Sequence, residues 1–202
     1  MKRVRRLLWA GVAVAALGLY AGHRLSAKER TERGEFGRVP AFSLLDQKGR
    51  AVSNRDLLGA PWVANFVFTR CPSACPLLTA KFKALQGELG SLAGGVRFVS
   101  ISVDPEHDTP EVLSAYAARF GVDPERWLFL TGPLSDIEKT VVEGFKIHIG
   151  ESTPNESDPS LVDIMHGEHF VLVDRDGVIR GYYRSDASAL EELKADLQAL
   201  VR

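Results

Sequence analysis

Apolar positions along this chain follow two periods, and from Val39 onward the two alternate. Residues 62–69 and 96–103 are β-branched, aromatic and nearly continuous in apolar character, a pattern that predicts buried strands. Between them, residues 76–89 repeat apolar side chains at helical spacing. Thr109-Pro110-Glu111 opens another helix that runs to Phe120, with Thr109 as the cap and Pro110 at the first helical position. Residues 128–131 predict a short strand, 135–144 a further helix and 187–201 a closing helix. Two hairpins complete the pattern. One joins residues 41–45 to 49–52 around Asp46-Gln47-Lys48-Gly49, and the other joins 170–174 to 178–183 around Arg175-Asp176-Gly177. The expected architecture is an α/β sandwich with an N-terminal hairpin.

Ahead of this domain the pattern changes. Met1-Lys2-Arg3-Val4-Arg5-Arg6 is strongly basic, and Leu7 begins an uncharged, mostly apolar run of sixteen residues that ends at Gly22 and is followed by His23-Arg24. This is an export or anchoring segment. It is slightly short of the ~20 residues that span a bilayer, which requires Arg24 to snorkel or the bilayer to thin. No clear small-x-small cleavage site follows it, so residues 1–25 are expected to be an uncleaved membrane anchor, with a cleaved signal peptide as the alternative, and no cysteine is placed to carry a lipid. Basic residues on the short N-terminal side put that end in the cytoplasm and the rest outside it. Residues 26–38, charged and Gly-containing, read as a linker, and residues 39–202 as the folded domain.

Composition narrows the function classes without choosing one. A length of 202 residues with 45% hydrophobic and 25% charged residues suits one globular domain plus a short extra segment. A formal net charge of -1, with no aromatic-interleaved Lys/Arg stripe, argues against nucleic acid as a partner.

The chemistry concentrates in two cysteines, Cys71 and Cys75, the only ones in the chain. They lie where the apolar run ending in Phe66-Val67-Phe68-Thr69-Arg70 meets the helical segment after Pro76. Thiolate is both the nucleophile and the metal ligand, and a helix N-terminus favours negative charge. Three intervening residues let both sulfurs meet at the first turn. The pair is therefore a redox couple or part of a soft-metal site, with a structural disulfide or inert core thiols as the simpler reading. In a non-cytosolic space a metal-binding pair needs a partner to keep it reduced.

With the elements in this order the chain resembles the SCO/SenC family of thioredoxin-fold copper chaperones for cytochrome c oxidase assembly. The resemblance rests on three blocks. Phe68-Thr69-Arg70-Cys71-Pro72-Ser73-Ala74-Cys75-Pro76 is similar to the family's dithiol motif, with three residues between the cysteines where thioredoxins have two. Ser100-Ile101-Ser102-Val103-Asp104-Pro105 with Asp108-Thr109-Pro110 resembles a second block, and His166 through Gly177 a third, although Gly167-Glu168 departs from the small hydroxyl residue expected there. The resemblance implies a thioredoxin-like central sheet flanked by helices, and copper held by Cys71, Cys75 and His166. It also implies delivery to the copper-bearing subunit of the oxidase, with a thiol reductant or another copper chaperone as further partner. The location implied is the inner membrane, with the domain on the periplasmic side. Two thiolates suit Cu(I), and an added imidazole also accommodates Cu(II).

The other histidines fit less well. His23 borders the anchor, His107 lies in a polar turn, and His148 alternates away from its apolar neighbours; His169 is a possible auxiliary ligand. A closed Cys2His2 zinc site using Cys71, Cys75, His166 and His169 has poor spacing for that role. The sharper rival is a thiol–disulfide oxidoreductase acting on an exported partner, with Cys71 as attacking and Cys75 as resolving thiol. Three supporting roles are also expected: Arg70 beside Cys71 stabilising thiolate charge, Asp104 and Pro105 shaping the neighbouring loop, and Asp163 orienting the imidazole.

Overall fold

The computed structural model describes residues 35–72, 74–154 and 162–201, together with Gly18. The apolar run proposed as an anchor, with His23, therefore lies outside the described residues. Among the described residues no helix is long and apolar enough to cross a membrane.

Among the described residues nine strands form, in chain order β1 (Ser43–Asp46), β2 (Ala51–Ser53), β3 (Trp62–Val67), β4 (Arg97–Ser102), β5 (Trp127–Thr131), β6 (Ile149–Pro154), β7 (Val162–His166), β8 (His169–Val173) and β9 (Ile179–Arg184). Among the described segments from residue 35 onward, four α-helices accompany them: α1 (Ala74–Glu88), α2 (Pro110–Arg119), α3 (Leu134–Glu138) and α4 (Ala187–Val201). Seven strands make one mixed sheet in the order β2-β1-β5-β4-β3-β8-β9, and β6 pairs with β7 in a separate ribbon. β3 runs parallel to β4 and β4 parallel to β5, while β8 is antiparallel to β3. The two β-α-β crossovers through α1 and α2 step the same way across the sheet. With right-handed crossovers both helices must then cover the same face.

Side-chain packing agrees. Val63 is the register partner of Phe98, and Phe98 of Trp127, so these residues share a face. On that face Phe82 of α1 stacks on Phe170 at 5.1 Å and meets Phe98 and Trp127 edge-on, each at 4.9 Å. Tyr116 of α2 meets Phe129 at 5.9 Å. On the opposite face Phe145 packs against Trp62 and Phe66. β3 is buried along its whole length, as its unbroken apolar character requires.

Both hairpin turns use one device. Asp46 Oδ1 accepts the N–H of Lys48 and of Arg50, and its Oδ2 accepts from Arg50 Nε. Asp174 Oδ1 accepts the N–H of Asp176 and of Val178, and its Oδ2 accepts from Arg180 Nε. Each turn then reaches a glycine at positive φ, Gly49 at 74° and Gly177 at 79°. The second turn also holds the chain entering the domain. Phe36 N–H donates to Ile179 O, and Val39 N–H donates to Gly177 O.

The expected helix over residues 135–144 is interrupted. α3 stops at Glu138 and the chain continues as a π-helical turn, Lys139–Gly144, in which Phe145 N–H reaches back to Thr140 O. Thr140 Oγ1 donates to Asp136 O, a competing bond that loosens regular helix geometry. The turn buries Val141 and leaves Val142 exposed.

Candidate metal centre

β3 delivers the chain to the carboxyl edge of the sheet, where ligand sites of open α/β sheets gather. Phe68 stays in the core, and Cys71 N–H donates to Phe68 O at 3.3 Å, which turns the chain before α1. Cys71 therefore precedes the helix, and Cys75 lies in its first turn. Cys75 N–H donates to Cys71 Sγ at 3.3 Å, so the first sulfur occupies a capping acceptor's place at the helix N-terminus. Orphan N–H groups and the helix dipole favour negative charge on Cys71.

The pair is asymmetric. Cys71 is partly exposed, whereas Cys75 is fully buried, and no disulfide joins them. The Cys75 thiol is pushed well above the ordinary range, first by the hydrogen bond it shares with the Cys71 sulfur and then by burial. Cys75 therefore holds its proton more tightly than a free cysteine does.

Beneath the dithiol loop lies a buried carboxyl that sequence reasoning read only as part of a family block. Asp108 accepts from Thr69 N–H at 3.2 Å, from Thr69 Oγ1 at 2.5 Å and from Ser102 Oγ at 2.6 Å. It ties the loop after β3 to the end of β4. Burial raises its pKa despite these donors. Above the ordinary carboxyl value of 3.8, the folded state therefore holds this proton longer than the unfolded state does. Its contribution to stability is lost as pH rises from there through the raised folded value. In Asp108→Asn this part of the pH dependence is expected to vanish from denaturation midpoints measured across the acidic range. An unchanged slope would contradict the assignment. Farther under the helix, Thr79 Oγ1 and Tyr116 OH share a buried hydrogen bond of 2.9 Å, and burial pushes Tyr116 up to about 12.

Arg70 does not stand as a lone cation beside Cys71. Its Nε and Nη2 donate to Asp104 Oδ2 at 3.0 and 2.8 Å, and Asp104 N–H donates to Ser102 Oγ at 3.1 Å. Asp104 thereby braces the dithiol loop through Arg70.

The histidines separate by backbone position. His166 ends β7 opposite Ile149, and His169 begins β8 opposite Arg184, so a two-residue link sets them on different sheets. Asp163 is in β7 opposite Thr153. His169 is half-buried, and its Nδ1 is buried without a hydrogen-bond partner among the described residues. His107 and His148 are exposed. Among the described side chains, no three His, Cys, Asp or Glu residues converge as a metal site. The described donors are the two sulfurs, which are soft and suited to a monovalent copper ion.

The sequence pattern of the SCO1/SenC family matches residues 30–202. The SCO1 protein homolog of Bacillus subtilis is 34% identical over 163 residues, covering 80% of this chain and 81% of that protein. The structure is similar to copper-bound ScoI of Bradyrhizobium japonicum, with a TM-score of 0.69 and 29% identity over 81% of this chain and 99% of that one. It is also similar to BsSco, a member of the Sco family of cytochrome c oxidase assembly proteins in which a disulfide switch was identified. That match has a TM-score of 0.70 and 32% identity over 84% of this chain and 95% of that one.

Proposed function

Because the chain belongs to the SCO1/SenC family, we propose that it is a copper chaperone of cytochrome c oxidase assembly, with Cys71, Cys75 and His166 as the copper ligands. The observation that carries this reading is the thiol pair at the helix start, where Cys71 Sγ accepts the Cys75 N–H and both sulfurs lie at the first turn of α1. Copper binding takes the proton from the Cys75 thiol. The buried Cys75 supplies a permanent ligand, and the partly exposed Cys71 supplies the edge from which the ion leaves by ligand exchange with a receiving site. His166 is a suitable third donor by sequence, closing β7 just before the strand that pairs with β3. Its imidazole would let the site accept Cu(II) as well.

Copper-bound ScoI supports copper as the cargo, and BsSco, as a cytochrome c oxidase assembly protein, supports that oxidase as the destination; the receiving site would be its subunit with the dinuclear copper centre. The domain, residues 39–202, would then be held at the inner membrane by residues 1–25 through the 26–38 linker, on the periplasmic side. Transfer tests the reading. The full-length chain loaded with copper is expected to pass it to the copper-free soluble domain of that subunit, read as the appearance of the acceptor's copper absorption.

A second reading is favoured by the asymmetry of the pair. An accessible Cys71 and a buried, protonated Cys75 also suit attack and resolution in thiol–disulfide exchange. Reduction of the acceptor's disulfide by the copper-free dithiol, with no copper transfer, would establish that role in place of delivery.

A further inference from the structure

A groove of about 540 Å³ opens beside the candidate metal centre, lined from three sides. Val103, Asp104 and Glu106 come from the turn after β4, Leu134, Glu138, Val142 and Glu143 from α3 and its π-helical turn, and Ile149, Glu151 and Ile164 from the β6-β7 ribbon. Its floor is apolar. Leu134 is 45% exposed and Val142 38% exposed, the latter because the π-helical turn directs it outward. The rim carries carboxylates only. Asp104 is occupied by Arg70, but Glu106, Glu138, Glu143 and Glu151 are exposed and none makes an ion pair with a described residue. Among the described residues no Lys or Arg lines the groove.

Two lining residues connect the groove to elements of the proposed copper site. Asp104 holds Arg70, the residue before Cys71. Ile149 is the register partner of His166. A chain segment lying in the groove therefore lies against residues bonded to the loop that carries the sulfurs and to the strand that carries the histidine.

We propose that this groove docks a basic, apolar-flanked segment of a partner protein, and so holds that partner against the dithiol. An apolar floor inside a single-sign rim selects its occupant on two counts. Burial of Leu134 and Val142 calls for apolar side chains, and four uncompensated carboxylates call for Lys or Arg among them. A small ligand is a poorer fit, because the four unpaired acids are exposed at the rim and the buried acid, Asp104, is taken up by Arg70. The inference rests on the copper reading only for the purpose of docking; the binding itself stands on the groove.

The test uses the full-length chain and short synthetic peptides that alternate Lys with Leu, Lys with Ser, or Glu with Leu. Binding is followed by fluorescence anisotropy and mapped by NMR shifts. The Lys-Leu peptide is expected to bind best, shifting Val142 and Ile164. In E138K/E143K its affinity is expected to fall by about tenfold, as rim attractions become repulsions. Added salt should weaken the wild-type interaction. One-to-one Cu(I) binding should be the same in both proteins, which shows that the double variant is folded and its dithiol intact. Equal binding of Lys-Leu and Lys-Ser peptides, or no loss in E138K/E143K, would overturn the proposal. Self-association through this face that disappears in E138K/E143K would overturn it in favour of a second copy. Failure of the wild-type chain to bind Cu(I) would sink the copper reading and leave the peptide result standing.

Discussion

Cys75→Ser is expected to abolish tight Cu(I) binding while leaving the domain folded. The substitution keeps the shape of a buried side chain and removes one of two soft donors, so its cost falls on the metal. Loss of a residue that merely orients a metal ligand weakens binding by about 10–100-fold, and loss of a ligand itself should exceed the upper end of that range. Chelator competition reads the affinity, and a thermal melt confirms the fold. The buried thiol adds a directional expectation. Cys75 is a thiol at neutral pH, so copper must displace its proton, and the affinity of the wild-type chain should rise with pH by at least about tenfold per unit. A pH-independent affinity would mean that Cys75 does not bind the ion.

Phe82→Ala is expected to produce the largest loss of stability. Phe82 is fully buried and touches Phe98, Trp127 and Phe170, one ring from each of three strands, so its removal leaves a cavity between α1 and the centre of the sheet. Truncating such a residue costs about 3–5 kcal/mol. For a chain of this length that lowers the melting temperature by on the order of 10 °C. Leu77→Ala on the same helix, where Leu77 is exposed, should change it little. Comparable losses for the two variants would contradict the packing described.

Regular elements were legible in the sequence where a strong local signal agreed with the tertiary need. The continuous apolar runs became β3 and β4 because central parallel strands are buried on both faces. Thr109 caps α2, accepting from Val112 N–H with Pro110 at the first position, as the residues themselves specify. The D-x-x-G turns formed as expected because the carboxylate, the glycine and the flanking strands all favour one geometry.

Other features depend on partners distant in sequence. The β6-β7 ribbon was missed because Ile149-Gly150-Glu151-Ser152-Thr153-Pro154 mixes Gly, a charge and Pro, and its pairing is irregular between Ile149 and Ser152. The alternation of Val162, Ile164 and His166 was the available signal. The π-helical turn escaped because residues 135–144 satisfy helical periodicity, and the switch is made by backbone hydrogen bonds. Asp108 sits in the polar run Glu106-His107-Asp108-Thr109, which reads as a solvated helix entry. Its burial comes from Thr69, thirty-nine residues earlier. Arg70 was expected near the thiolate, and its pairing with Asp104 could not be read from spacing.

Within the candidate centre the thiol pair was the legible part, because two cysteines at a strand-to-helix junction have few uses. The difference in their burial was not. It arises from the helix starting after Cys71 and from the depth of Cys75, both consequences of packing against Phe68 and the sheet.

The central claim is a copper site made by the dithiol and one particular histidine. Anaerobic Cu(I) titration of the reduced full-length chain against a competing chelator, repeated for His166→Ala and His169→Ala, tests it most directly. One tightly bound copper per chain is expected, weakened in His166→Ala and nearly unchanged in His169→Ala. Weak binding that ignores both substitutions would contradict it and leave dithiol exchange as the function of the pair.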